Sequence, residues 1–278
     1  MLELLGSPNV WIPELRSTVA QFVHYGLLWQ GSLSCLGAIF QFMQLGWGER
    51  GPWWPTAWWE LRTHRGLSPS LAADMGDRLA PLVPATNALG PCGFAACPAG
   101  AYAIAASVPP LAEIEAVADR RELRRSGLQD SGPQPVIVSA HGTIEVLDQT
   151  VVPESWFGGA CQWLLTRARR FRFPVHINEG EMKAAIAALA VCCRGGLEER
   201  TTILDLCDSQ VSCGIWMRGR SSAFGPNREA RRRSALEAAF HVRCLLPWLS
   251  TRFQPADAGT RVDANGSLPI PKPFFVCA

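Results

Sequence analysis

From Arg169 to Arg261, segments with strand character alternate with segments of helical period, and that alternation leaves few folds open. "RRFRFPVHIN" is strand-like. Residues 179–194 then carry Met182, Ile186, Leu189 and Cys193 on one helical face, and Gly195-Gly196 stop the helix. "RTTILDLCDS", rich in β-branched residues and leucine, is the next strand. Residues 210–219 and 227–247 are helical in pattern, "LSTRFQP" is strand-like, and "ADAGTR" opens a last short helix. Upstream, "CGFAACPAGAYAIAASV" has the form of two short strands around Pro98-Ala99-Gly100. Residues 113–126 form an exposed charged helix, and "QPVIVSAHGTIEVLD" is strand-like. Strands first, then helix and strand in turn, predict an α/β sandwich on a mixed central sheet.

Residues 1–88 have a different character. They hold seven of the eleven tryptophans, and "PWWPTAWWELR" sets Pro55 near the start of a short helix. "LAADMGDRLAPLVPATNAL" has the pattern of a last helix running into a linker. No Asp, Glu, Lys or Arg occurs from Ser17 to Gly48. That stretch does carry Gln21, His24, Gln30, Ser32, Ser34, Gln41 and Gln44, which are costly in hydrocarbon. A buried helix pair broken near Gly31, packed against residues 53–61, is therefore favoured over a membrane-spanning helix. The N-terminus lacks the pattern of a signal peptide. The expected division is a helical segment over 1–88, an α/β domain over 89–262 and an irregular tail over 263–278.

The net charge of +2 points to no class of partner, but its distribution is uneven. Basic charge is 24 Arg against 2 Lys, clustered at Arg167–Arg172 and Arg218–Arg233. Such clusters form solvated faces or contact phosphates. Ten cysteines occur without a CxxC pair, and the five histidines supply no zinc-ligand spacing, so the cysteines are read as reduced thiols of an intracellular protein. A Gly-x-Ser-x-Gly elbow, a GxxxxGK[ST] loop and a GxGxxG turn are all missing from the sequence.

Three carboxylates fall at joints between elements. Glu181 lies in the first turn of a helix, Asp208 ends a strand and Asp257 begins the last helix. Taken singly, each serves as a helix-start acid. Together, at the carboxyl ends of strands, they form a set that needs a cation between its members, and Mg²⁺ is the usual one beside a phosphodiester.

"HINEGEMKAAIAAL", "DLCDSQVSCGIWMRGRSS" and "STRFQPADAGTR" resemble, in order and spacing, the ribonuclease H domain of retroelement polyproteins. "LAPLVPATNAL" and "GFAACPAGAYAIAASV" are similar to the approach and first hairpin of that domain, so the resemblance covers about residues 79–262. It implies a ribonuclease H-like α/β fold preceded by a Trp-rich helical segment, and Mg²⁺-dependent hydrolysis of RNA in an RNA–DNA hybrid. Glu181, Asp208 and Asp257 match three of the family's four metal-binding acids. The family's first-strand aspartate aligns with Ala95, and no Asp or Glu occurs from Arg78 to Ala112, which implies impaired catalysis. Arg218, Arg220, Arg228 and Arg232 are the candidate nucleic-acid contacts. The rival reading is a non-catalytic nucleic-acid-binding module or a decayed fragment.

Overall fold

The computed structural model describes residues 5–26, 29–44, 50–68, 77–91, 99–125, 136–138, 144–146, 152–157, 161–197, 200–261 and 267–271. The chain forms two compact units. One comprises Met1–Asp77 with Gly214–Val242, and the other Arg78–Cys213 with Arg243–Ala278.

In the first unit, β1 (Asn9–Trp11) pairs antiparallel with β2 (Arg50–Pro52), and between them lie α1 (Ile12–Gly26), a 3-10 turn (Gln30–Leu36) and α2 (Gly37–Gln44). α3 (Pro55–Leu67) follows, with proline in its first turn where no N–H partner is needed. Leu15, Val19 and Phe22 recur at helical spacing and pack with Leu33, Leu36, Ile39, Phe42, Ala57 and Leu61, while Trp53 and Trp54 cover Phe42. Among the described residues of 17–44, the expected packing on the tryptophan-rich segment is thus present. No helix among the described residues is long and apolar enough to cross a membrane. The helix Phe224–Phe240 also belongs here: Ser234 and Gly31 are packed closely enough that a Cβ on Gly31 would lie 2.7 Å from Ser234 Oγ.

The second unit is built on strands. β3 (Arg78–Leu79) and β4 (Val83–Leu89) come first, then β5 (Ala101–Ser107), α4 (Leu111–Arg125), the hairpin β6 (Val136–Val138) and β7 (Ile144–Val146), and β8 (Leu164–Arg170). α5 (Ile177–Arg194), β9 (Thr201–Leu204) and β10 (Leu206–Cys207) follow, then α6 (Gln210–Arg218), the first unit's helix α7 (Phe224–Phe240), and finally β11 (Val242–Leu245) and α8 (Asp257–Thr260). β4, β5 and β8 are antiparallel neighbours, whereas β10 runs parallel to β4 and β9 parallel to β3. The ladders form a four-stranded mixed sheet in the order β10, β4, β5, β8, and a three-stranded sheet in the order β11, β9, β3. The fold is α/β with a mixed sheet and a helical N-terminal segment.

Four local expectations differ. "RRFRFPVHIN" is strand only through Arg170, where β8 ends, and residues 171–176 lead irregularly into α5. Residues 83–89 are a strand, not a linker, because every residue from Val83 to Ala88 is buried and pairs with β5. "LSTRFQP" holds a 3-10 turn (Thr251–Phe253), whose carbonyls close on Phe253 and Gln254 instead of on a neighbouring strand. The helix expected to reach residue 247 ends at Phe240, where His241 takes a left-handed turn (φ 49°) and releases Val242–Leu245 to the sheet. The boundary expected at 88/89 thus falls within strand-forming chain. The first of the two short strands expected around Pro98 lies outside the described residues.

Candidate functional site

α5 places the first acid. His176 precedes it, accepting the Asn178 N–H on Nδ1 at 3.3 Å, and its carbonyl takes the N–H groups of Glu179 and Gly180. The helix then lies close to β4 because its inward positions are small: Gly180, Ala184, Ala185 and Ala188 are all buried. A Cβ on Gly180 would meet Phe171 at 3.3 Å and Ala88 Cβ at 3.4 Å. That approach lets the Ala88 N–H donate to Glu181 Oε1 at 3.1 Å. Oε2 of the same carboxyl is buried without a partner, and Glu181 is only 4% exposed. Burial first, and the charge of Asp208 second, push the Glu181 carboxyl up to about 8.

Asp208 follows β10. Its strand is held by β4 on one side, with Cys207 opposite Thr86, and by residues 247–249 on the other. Leu249 N–H donates to the Cys207 carbonyl at 2.8 Å, and Trp248 Nε1 to the Asp208 carbonyl at 2.9 Å. Burial raises the Asp208 carboxyl and Asp257 adds repulsion, while hydrogen bonds with the Thr251 and Gln254 side chains offset part of this.

α8 sets Asp257. This short helix sits directly on the sheet, since a Cβ on Gly259 would fall 2.4 Å from Leu165 Cδ1 and 2.6 Å from Ala103 Cβ. Asp257 Oδ1 accepts the side-chain amide of Asn87 at 3.2 Å, and Oδ2 accepts Arg261 Nε at 3.0 Å. Asn87 is paired with Ala103 at the centre of β4 and is 5% exposed.

The structure therefore brings Glu181 and Asp208 together, and sets Asp257 near enough to Asp208 to repel it, although Glu181 and Asp257 are 76 positions apart. Ala95 lies outside the described residues. Asn87, Asp205, Cys207 and Arg261 are the neighbours that sequence reasoning passed over. For Asn87 the available signal was a polar residue inside "VPATNAL", but a search for acids skips an amide. Asp205 is completely buried, with the Thr86 hydroxyl 3.5 Å from Oδ2 and Oδ1 unpartnered, and burial pushes its carboxyl far up. Glu181, Cys207 and Asp208 each offer a ligand atom, all within 4.8 Å of one another. An orphaned buried carboxylate oxygen among such donors fits a bound cation.

The candidate arginines belong to the first unit, and three of the four have partners there. Arg228 and Arg232 donate to Glu229, which is fully buried, and Arg220 lies over the Phe40 ring at 4.3 Å. Arg218 is exposed.

No family model and no curated protein matches the chain. Among solved structures, RNase H1 from the halophilic archaeon Halobacterium salinarum NRC-1 is similar at 16% identity, over 64% of this chain and 92% of that one, with a TM-score of 0.30. The N-terminal RNase H domain of rv2228c from Mycobacterium tuberculosis, solved as a fusion with maltose binding protein, is also similar. Its identity is 16%, over 63% of this chain and 92% of that one, with a TM-score of 0.32.

Proposed function

We propose that the chain is a ribonuclease H-like domain of retroelement descent, whose ancestral hydrolysis of RNA in an RNA–DNA hybrid is impaired by an amide on the central strand. The observation that carries this reading is the meeting of Asn87 with Asp257 beside Glu181 and Asp208. The three motif acids come from segments far apart in sequence, and the strand between them presents a neutral side chain.

Glu181 and Asp208, with Asp257, would hold the divalent ion that the family uses to activate water and stabilise the leaving oxygen. An aspartate at position 87 would face Asp257 as a like charge, and the pair would need a cation between them. Asn87 instead donates to Asp257, and Arg261 neutralises the same carboxylate from outside. The pair is satisfied by protein groups alone, so its demand for metal is weakened. On this reading Asn87 marks the missing metal ligand that the family resemblance assigned to Ala95.

Cleavage of a labelled RNA–DNA hybrid in Mg²⁺ by the purified chain tests the reading. The wild type is expected to cut little or not at all, and Asn87→Asp to raise cleavage. Adding Asp208→Asn to that variant should remove the gain. Robust cutting by the wild type would overturn the impairment. Hybrid binding without cleavage in either form supports a non-catalytic nucleic-acid-binding module, the alternative that Asn87 also favours.

A further inference from the structure

We propose that Glu181, Cys207 and Asp208 form a binding site for one thiophilic divalent cation of the zinc and cadmium class. This deepens the preceding reading, with which it shares two acids and on whose site it rests. It departs from that reading in the identity of the ion.

The three residues present a sulfur and two carboxylate oxygens within 4.8 Å of one another, close enough for a small ion to draw them onto itself. Zinc takes cysteine sulfur at about 2.3 Å and carboxylate oxygen at about 2.0–2.2 Å, in tetrahedral sets whose fourth position stays open when the protein supplies three ligands. The second observation is Glu181 Oε2, buried and without a hydrogen-bond donor, beside a carboxyl whose other oxygen is held by Ala88 N–H. Such an atom is costly to bury unless something positive meets it. The described neighbours on β4 and β10 offer it no cation, and the nearby Asp257 is already engaged by Asn87 and Arg261.

The donor set decides the class of ion. Magnesium demands oxygen ligands in near-ideal octahedral geometry, whereas a thiol selects softer metals. Asn87 offers an amide where the preceding reading expects an acid, and Cys207 adds a sulfur to the remaining donors. Cys207 is fully buried on β10, with Cys213 Sγ turned to its carbonyl at 3.8 Å. On coordination the Cys207 thiol and the Glu181 carboxyl each release a proton to solvent, so two carboxylates and one thiolate face a dication. Asp208, less buried than the other two, opens the site toward solvent.

Cadmium titration of the reduced full chain tests this through the ultraviolet sulfur-to-metal charge-transfer band, with hybrid cleavage measured separately. One equivalent of Cd²⁺ is expected to produce the band, Zn²⁺ to displace it, and excess Mg²⁺ to leave it intact. Cys207→Ser should abolish the band, and Glu181→Gln, which leaves the sulfur in place, should weaken Cd²⁺ binding by more than about tenfold. A band that survives Cys207→Ser, an affinity untouched by Glu181→Gln, displacement by Mg²⁺, or no band at all would each overturn the proposal. Absence of hybrid cleavage in every metal counts against the hydrolase ancestry only, and leaves the cadmium result standing.

Discussion

At the scale of single residues, Glu181 links the site to stability. Its carboxyl ordinarily titrates near 4.5 and is held at about 8 in the fold, first by burial. The native state therefore keeps a proton that the unfolded chain has already released, and between those two values stability falls as pH rises. Below the lower value both states are protonated and there is no penalty. Above the upper value both are ionised and the penalty is complete. Asp205 and Asp208 are also raised by burial and act in the same direction. Glu181→Gln removes this term while its amide oxygen can still accept the Ala88 N–H. The variant should match the wild type at about pH 5 and exceed it by on the order of 2–4 kcal/mol at about pH 8.5 in metal-free urea titrations. Parallel stability curves for the two proteins would show that Glu181 is not held protonated. Asn87 teaches the complementary lesson: a charge-based search finds the acids that are present, while the residue facing Asp257 becomes visible only when β4 is paired with β5.

At the scale of elements, close approach and capping position the groups. α8 carries Asp257 and touches the sheet through Gly259, leaving no room for a methyl group between Leu165 and Ala103. Gly259→Ala should cost about 1–3 kcal/mol by overpacking, read as a lower urea midpoint, and should disturb the Asn87–Asp257 contact. Gly66→Ala makes the matched control. A Cβ there meets nothing within 4 Å, so stability should be unchanged or rise by up to about 1 kcal/mol. In the first unit α2 is capped from a distance: Glu60 Oε2 on α3 accepts the N–H groups of Ala38 at 2.6 Å and Ile39 at 3.0 Å, and Arg231 pairs with the other oxygen. Those are first-turn donors with no partner inside their own helix. Glu60→Ala should cost about 1–2 kcal/mol by thermal or urea unfolding, and a loss below about 0.3 kcal/mol would show the cap to be idle.

At the scale of the whole molecule, charge was the feature least predictable from order along the chain. The arginine run "NREARRRS" reads as a phosphate-facing or solvated helix, yet Arg228 and Arg232 both turn to Glu229, which is fully buried, and Arg233 pairs with Glu237. Arg228→Ala with Arg232→Ala should therefore destabilise the protein by about 1–3 kcal/mol, because a buried carboxylate loses two partners that are themselves about half exposed. Thermal unfolding measures that loss. If the same double variant instead left stability intact and flattened the salt dependence of hybrid binding, the two arginines would be phosphate contacts. The alternation of elements was legible from the residues alone: the β-branched run before Asp208, the alanine-rich helix closed by Gly195-Gly196, and the acids at element ends. These are local signals, written in side-chain period and in turn residues. Tertiary structure alone decided that residues 83–89 join the sheet, that Thr251–Phe253 coil instead of pairing, and that Asn87 faces Asp257. Each of these depends on which partner a segment meets, and no local period encodes a partner supplied by a distant part of the chain.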